Sequence, residues 1–171
     1  DGALELLAGS TAFSADGSNL WNRQGNGIPN GFNASADFDG DGLPEVVVQG
    51  GGKLYLLDGA TGTTRIAGWD VPSDGQGGPP TVADFDGDGA IEIGVAMKQF
   101  YVMVEVDLTE GSEAFSEGWK TENHDLSSSV TGSSVFDFEA DGKAEVVYND
   151  ECFLWVYDGT TGAVRMAIPT T

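Results

Sequence analysis

The chain has 171 residues, of which seven are Lys or Arg and 28 are Asp or Glu, for a formal net charge of -21. With no basic stripe to neutralise phosphates, nucleic-acid backbone binding is excluded, and the same charge opposes docking on anionic membranes. One cysteine rules out an internal disulfide, no run reaches the ~18 apolar residues of a membrane span, and 26 glycines suit tight turns between short strands better than helices.

Residues 1–8, D-G-A-L-E-L-L-A, are the second half of an acidic motif that runs into a strand at 5–8. A strand at 11–13, an Asp16-Gly17 turn and a strand carrying Trp21 follow. The motif then appears whole at 36–48 as A-D-F-D-G-D-G-L-P-E-V-V-V, with strands at 45–49 and 54–57, an Asp58-Gly59 turn and a strand carrying Trp69. It returns at 83–95 as A-D-F-D-G-D-G-A-I-E-I-G-V, with strands at 92–96 and 100–106, a turn at Asp107-Leu108 and a strand carrying Trp119. The acidic, Ser-rich stretch 109–134 is expected to be a surface loop. The last copy, F-D-F-E-A-D-G-K-A-E-V-V-Y at 136–148, leads to strands at 145–148 and 153–157 and an Asp158-Gly159 turn. Asx-Gly pairs between apolar runs signal hairpins.

The motif starts, Asp37, Asp84 and Asp137, lie 47 and 53 residues apart, a period typical of propeller blades. The fold expected is therefore all-β: nearly four four-stranded antiparallel repeats, forming one β-propeller segment cut from a larger propeller. The repeats span about 1–31 (partial), 32–78, 79–130 and 131–171. Trp21, Trp69 and Trp119 are expected at one repeat position, packed between blades.

The motif reads D-x-D-x-D-G-x-x-E. Carboxylates at positions 1, 3 and 5 of a curled loop converge on one point, and Gly at position 6 allows the turn. The position-7 carbonyl and the position-9 acid close a shell of hard oxygen ligands that suits calcium. Magnesium demands tighter geometry, and zinc wants Cys or His. At position 12, where an EF-hand has its Glu, stand Val48, Val95 and Tyr148, already in a strand. With Asp1 and Glu5, these motifs hold fourteen of the acids, and so much of the charge. In the third whole copy Glu139 replaces Asp at position 3 and Ala140 replaces Gly at position 4, which weakens the expectation for that site.

These motifs resemble FG-GAP/VCBS-type repeats, which build the propeller of integrin alpha subunits and occur in many secreted bacterial proteins. The resemblance spans almost the whole chain and includes the outer-hairpin segments at 54–62 and 157–162. It implies two to three calcium ions, held between the first two strands of each blade. One set is Asp37, Asp39, Asp41, Glu45 and the Leu43 carbonyl. The second is Asp84, Asp86, Asp88, Glu92 and the Ala90 carbonyl; the third is Asp137, Glu139, Asp141, Glu145 and the Lys143 carbonyl.

The function expected is a calcium-stabilised binding or adhesion module, extracellular, at the cell surface or periplasmic, and not an enzyme. Its partners would be a protein or glycan ligand, or neighbouring blades through open edges. A polysaccharide-lyase propeller and an architectural subunit of a fibre or layer are the alternatives. Among single residues, Cys152 is expected to be packed in a strand, His124 solvated, and Asn33-Ala34-Ser35 to fit a glycosylation acceptor. Trp155 could face either way.

Overall fold

The computed structural model describes residues 4–126 and 130–170. Fifteen strands and no helix occur among them. The first sheet holds β1 (Leu6–Ala8), β2 (Thr11–Phe13) and β3 (Asn19–Asn22). The second holds β4 (Phe32–Ala36), β5 (Glu45–Gly50), β6 (Lys53–Asp58) and β7 (Thr64–Asp70). The third holds β8 (Thr81–Ala83), β9 (Glu92–Ala96), β10 (Phe100–Asp107) and β11 (Ala114–Glu122). The fourth holds β12 (Ser133–Phe136), β13 (Glu145–Asn149), β14 (Phe153–Tyr157) and β15 (Val164–Pro169). Each sheet is an antiparallel meander in chain order. Neighbouring sheets meet through their first strands, β1 against β4, β4 against β8 and β8 against β12. The protein is thus a stack of β-propeller blades.

Three apolar layers hold the four blades together. Between the first and second lie Ala12, Trp21, Val46, Val48, Tyr55 and Leu57. Val47, Leu54 and Leu56 of the second meet Ile93, Val95, Val102 and Val104 of the third. Tyr101, Met103 and Trp119 of the third meet Val146, Tyr148, Trp155 and Tyr157 of the fourth. Successive residues of a strand point to opposite faces, so Val46 and Val48 serve one layer and Val47 the next. A strand buried on both faces reads as a continuous apolar run, which explains Val46-Val47-Val48 without alternation.

Two tryptophans seat one blade on the hairpin of the next. Trp21 Nε1 donates to the Gly59 carbonyl at 2.8 Å, and Trp119 Nε1 donates to the Gly159 carbonyl at 2.6 Å. The indoles lie flat against Gly62 and Gly162, where an added Cβ would come within 2.6 Å of Trp21 and 2.4 Å of Trp119. Only glycine permits that approach.

Several expectations need correction. Trp69 is out of register with the other two. Trp21 pairs with Ala12 and Trp119 with Met103, but their counterpart in the second blade is Ile66, opposite Leu56; Trp69 pairs with Leu54. An extra irregularity between Leu54 and Leu56 causes the offset. The stretch 109–134 is not one loop, because β11 occupies Ala114–Glu122 and β12 begins at Ser133. As an outer strand, β11 buries only Phe115 and Trp119, so its sequence is polar. Cys152 is exposed in the β13–β14 turn, where its N–H donates to Asp150 Oδ1. Asn33 lies inside β4 and its amide nitrogen donates to the Gly9 carbonyl at 2.9 Å, an inter-blade bond that a glycan would break. Two other readings need none: Trp155, which the sequence left open, faces inward and donates to Asp150 Oδ2, and His124 is exposed as expected, stacking on Trp155 with ring centroids 6.0 Å apart.

Candidate metal centres

Each whole acidic motif forms the turn from the first to the second strand of its blade: 37–44 between β4 and β5, 84–91 between β8 and β9, and 137–144 between β12 and β13. One hydrogen-bond scheme recurs in all three. The position-1 carboxylate gathers the turn's N–H groups: Asp37 Oδ2 accepts from Gly42, Asp84 Oδ2 from Gly89, and Asp137 Oδ2 from Gly142, at 2.9 to 3.0 Å. The position-5 aspartates Asp41, Asp88 and Asp141 accept from the N–H of Leu43, Ala90 and Lys143. The position-9 glutamates Glu45, Glu92 and Glu145 begin the second strands, and one oxygen of each accepts the N–H of Phe38, Phe85 or Phe138. That last bond brings position 9 back over position 2 and was not foreseen. Phe-to-Glu spacing at positions 2 and 9 was its signal in the sequence.

These turns bring carboxylates together. Oxygens of Asp37, Asp39 and Asp41 lie within 4.8 Å of one another, as do those of Asp84, Asp86 and Glu92, and those of Asp137, Glu139 and Glu145. Two oxygens on one calcium ion, each 2.3–2.6 Å away, stand at most about 5 Å apart, so the spacing fits. The donors are all oxygen, the chemistry of a hard cation. Three acidic clusters here could therefore hold metal ions. Asp1 lies outside the described residues.

The clusters differ in their surroundings. Glu45, Glu92 and Glu145 are each at most 3% exposed. Burial pushes the Glu92 carboxyl up to about 7, with the Phe85 N–H opposing and Glu105, Asp86 and Asp88 adding to the rise. Burial also raises Glu45, though less strongly, and Glu105. A hydrogen bond from Arg65 holds Asp39 below the usual carboxylate range, and the Gly142 N–H does the same for Asp137. Arg65 and Arg165, both unforeseen, reach into the first and third whole loops. Their signal was an arginine seven residues after the hairpin aspartate in both repeats, Asp58 to Arg65 and Asp158 to Arg165. At position 4, Ala140 holds φ 56°, the only positive φ of a non-glycine among the described residues, where the other loops have Gly40 and Gly87.

Residues 37–95 match the model of the FG-GAP-like repeat. That segment is similar to the FG-GAP-like repeat. It contains two of the three whole loops, and the fourth blade carries the same turn and the same hydrogen bonds, so the FG-GAP-like pattern organises the chain beyond the matched residues. No curated protein matches the chain in sequence. Among solved structures, it is similar to the V. cholerae biofilm matrix protein Bap1, with a TM-score of 0.61 and 14% identity over 98% of this chain. It is also similar to the exotype rhamnogalacturonan lyase YesX, with a TM-score of 0.59 and 20% identity over 90% of this chain. The chain spans 53% of the first and 34% of the second. At these identities the likeness is one of fold. No helix among the described residues is long and apolar enough to cross a membrane.

Proposed function

We propose that this β-repeat module is a calcium-stabilised binding or adhesion unit that works outside the cytosol. The observation that carries the reading is the threefold recurrence of one acidic turn, in register, with its carboxylate oxygens gathered within 4.8 Å. Calcium would be held by Asp37, Asp39, Asp41 and Glu45 with the Leu43 carbonyl; by Asp84, Asp86, Asp88 and Glu92 with the Ala90 carbonyl; and by Asp137, Glu139, Asp141 and Glu145 with the Lys143 carbonyl. The ion would neutralise like charges that otherwise repel across each turn and would fix the first two strands of the blade. Sites of the extracellular type, with Kd about 10⁻⁴–10⁻³ M, stay empty at cytosolic calcium and fill outside, which supports the location.

In this reading the metal is structural and the blade surfaces engage a protein or glycan. The likeness to a biofilm matrix protein supports a role in an extracellular matrix, and the likeness to a lyase makes polysaccharide the first glycan class to try. Retention of the purified chain on immobilised polysaccharides and on matrix extracts, in millimolar calcium and in chelator, tests this. Retention that needs calcium is expected. Turnover of an acidic polysaccharide by the chain itself would replace the reading with an enzymatic one.

A further inference from the structure

The strand that follows each outer hairpin bulges at one position. Thr64 pairs with Leu57 and Ile66 with Leu56, so Arg65 is the extra residue. Val164 pairs with Tyr157 and Met166 with Val156, so Arg165 is its counterpart. In the third blade Glu117 pairs with Val104 and Trp119 with Met103, which makes Gly118 the counterpart. A bulge re-aims a side chain, and both arginines point at the acidic turn of their own blade. Arg65 Nη1 lies 2.6 Å from Asp39 Oδ2 and 3.0 Å from Glu45 Oε1. Arg165 Nη1 lies 2.8 Å from Glu139 Oε1 and 2.9 Å from Glu145 Oε1. Each arginine thus bridges positions 3 and 9 of its loop.

The third blade inverts this arrangement. Gly118 has no side chain, and Glu105 Oε1 stands 2.9 Å from where its Cβ would be. Glu105 follows Val104 as Asp58 follows Leu57 and Asp158 follows Tyr157, but the aspartates turn back to cap their hairpins at Thr61 and Thr161. The third blade therefore gathers Asp84, Asp86, Asp88, Glu92 and Glu105, and no salt bridge reaches any of them among the described residues, although the Lys143 side chain of the fourth blade lies against Gly87 of the same loop. Glu92, 1% exposed, makes no salt bridge among the described residues, whereas Glu45 and Glu145 each make one.

We propose that Arg65 and Arg165 are internal counter-cations standing in for a divalent ion at their loops, and that the loop at 84–92, which has an acid in their place, binds the ion first and most tightly. The inference rests on the calcium reading above and ranks its three sites. At the other two loops an incoming ion competes with a guanidinium for the oxygens at positions 3 and 9. The displaced arginines keep partners: Arg65 holds Glu113 of the third blade at 3.2 Å, and Arg165 holds Asp158 at 3.0 Å.

Calorimetric calcium titration of the purified chain, with melting curves in chelator, tests the ranking. The wild type should show one tight step and one or two steps at least about tenfold weaker. Asp86→Ala should abolish the tight step alone. Arg65→Gln and Arg165→Gln should each tighten one weak step by about tenfold, while lowering the melting temperature in chelator; Arg65→Lys should leave its step weak. A purely structural arginine would lower the melting temperature without tightening any step. Equal steps, a tight step that survives Asp86→Ala, or arginine variants that bind calcium no better would overturn the ranking and leave the calcium reading standing. No binding by the wild type would overturn both. The Asp86→Ala comparison keeps both arginines, so it decides the ranking even if an arginine variant does not fold.

Discussion

Replacing Glu92 by Gln should stabilise the protein in chelator and destabilise it in calcium. Glu92 is buried beside Asp86, Asp88 and Glu105, and its carboxyl is pushed up to about 7. Its unfolded value is near 4.5, so the folded state holds the proton more tightly. The contribution to stability is then fully present below pH 4.5 and is lost as pH rises through 7. A rise of about 2.5 units, at ~1.36 kcal/mol each, sets an upper bound of about 3 kcal/mol on the strain at pH 7.5. Gln removes the charge and keeps an oxygen to accept the Phe85 N–H, so melting in chelator at pH 7.5 should rise by several degrees, at roughly 2–4 °C per kcal/mol for a chain of this size. In millimolar calcium the variant has lost a ligand, and its calcium-induced rise should shrink. Circular-dichroism melts of both proteins, with chelator and with calcium from pH 5 to pH 7.5, read all of this. A variant less stable than wild type in chelator at pH 7.5, or a wild-type melting point there that does not fall between pH 5 and pH 7.5, would refute the reasoning.

The blade seats and the strained turn give two further predictions. Trp119→Ala removes a buried indole, its bond to Gly159 and its contact with Tyr101 at 5.8 Å, and should cost about 3–5 kcal/mol in a denaturant titration; a loss under 1 kcal/mol would mean that the third and fourth blades do not depend on this seat. Ala140→Gly relieves a left-handed backbone at φ 56° and should raise stability by about 1 kcal/mol. An unchanged or lower melting temperature would show that the turn at 137–144 relaxes without the glycine.

The acidic turns and their spacing were legible because a metal-type loop is local: ligands, glycines and the following strand lie within a dozen residues. The meander was legible for the same reason, since each hairpin is marked by its own Asx-Gly pair. What failed depended on neighbours distant in sequence. The position of Trp69 hinges on an irregularity between Leu54 and Leu56 that composition does not reveal. The outer strand β11 looks like a loop because solvent covers most of it. Asn33 fits an acceptor sequence until the Gly9 carbonyl of the preceding blade takes its amide. Arg65 and Arg165 stand outside the motif and enter it only through a bulge, so their role emerges when the strands are paired.

The most direct test of the account is the melting temperature of the purified chain in chelator and in millimolar calcium, with bound calcium counted in the same sample. Two or three ions bound and a clear rise, about 2.7 kcal/mol per site at a hundred times Kd, is the result predicted. No bound ion and no rise would contradict the claim that these acidic turns are calcium staples of the blades.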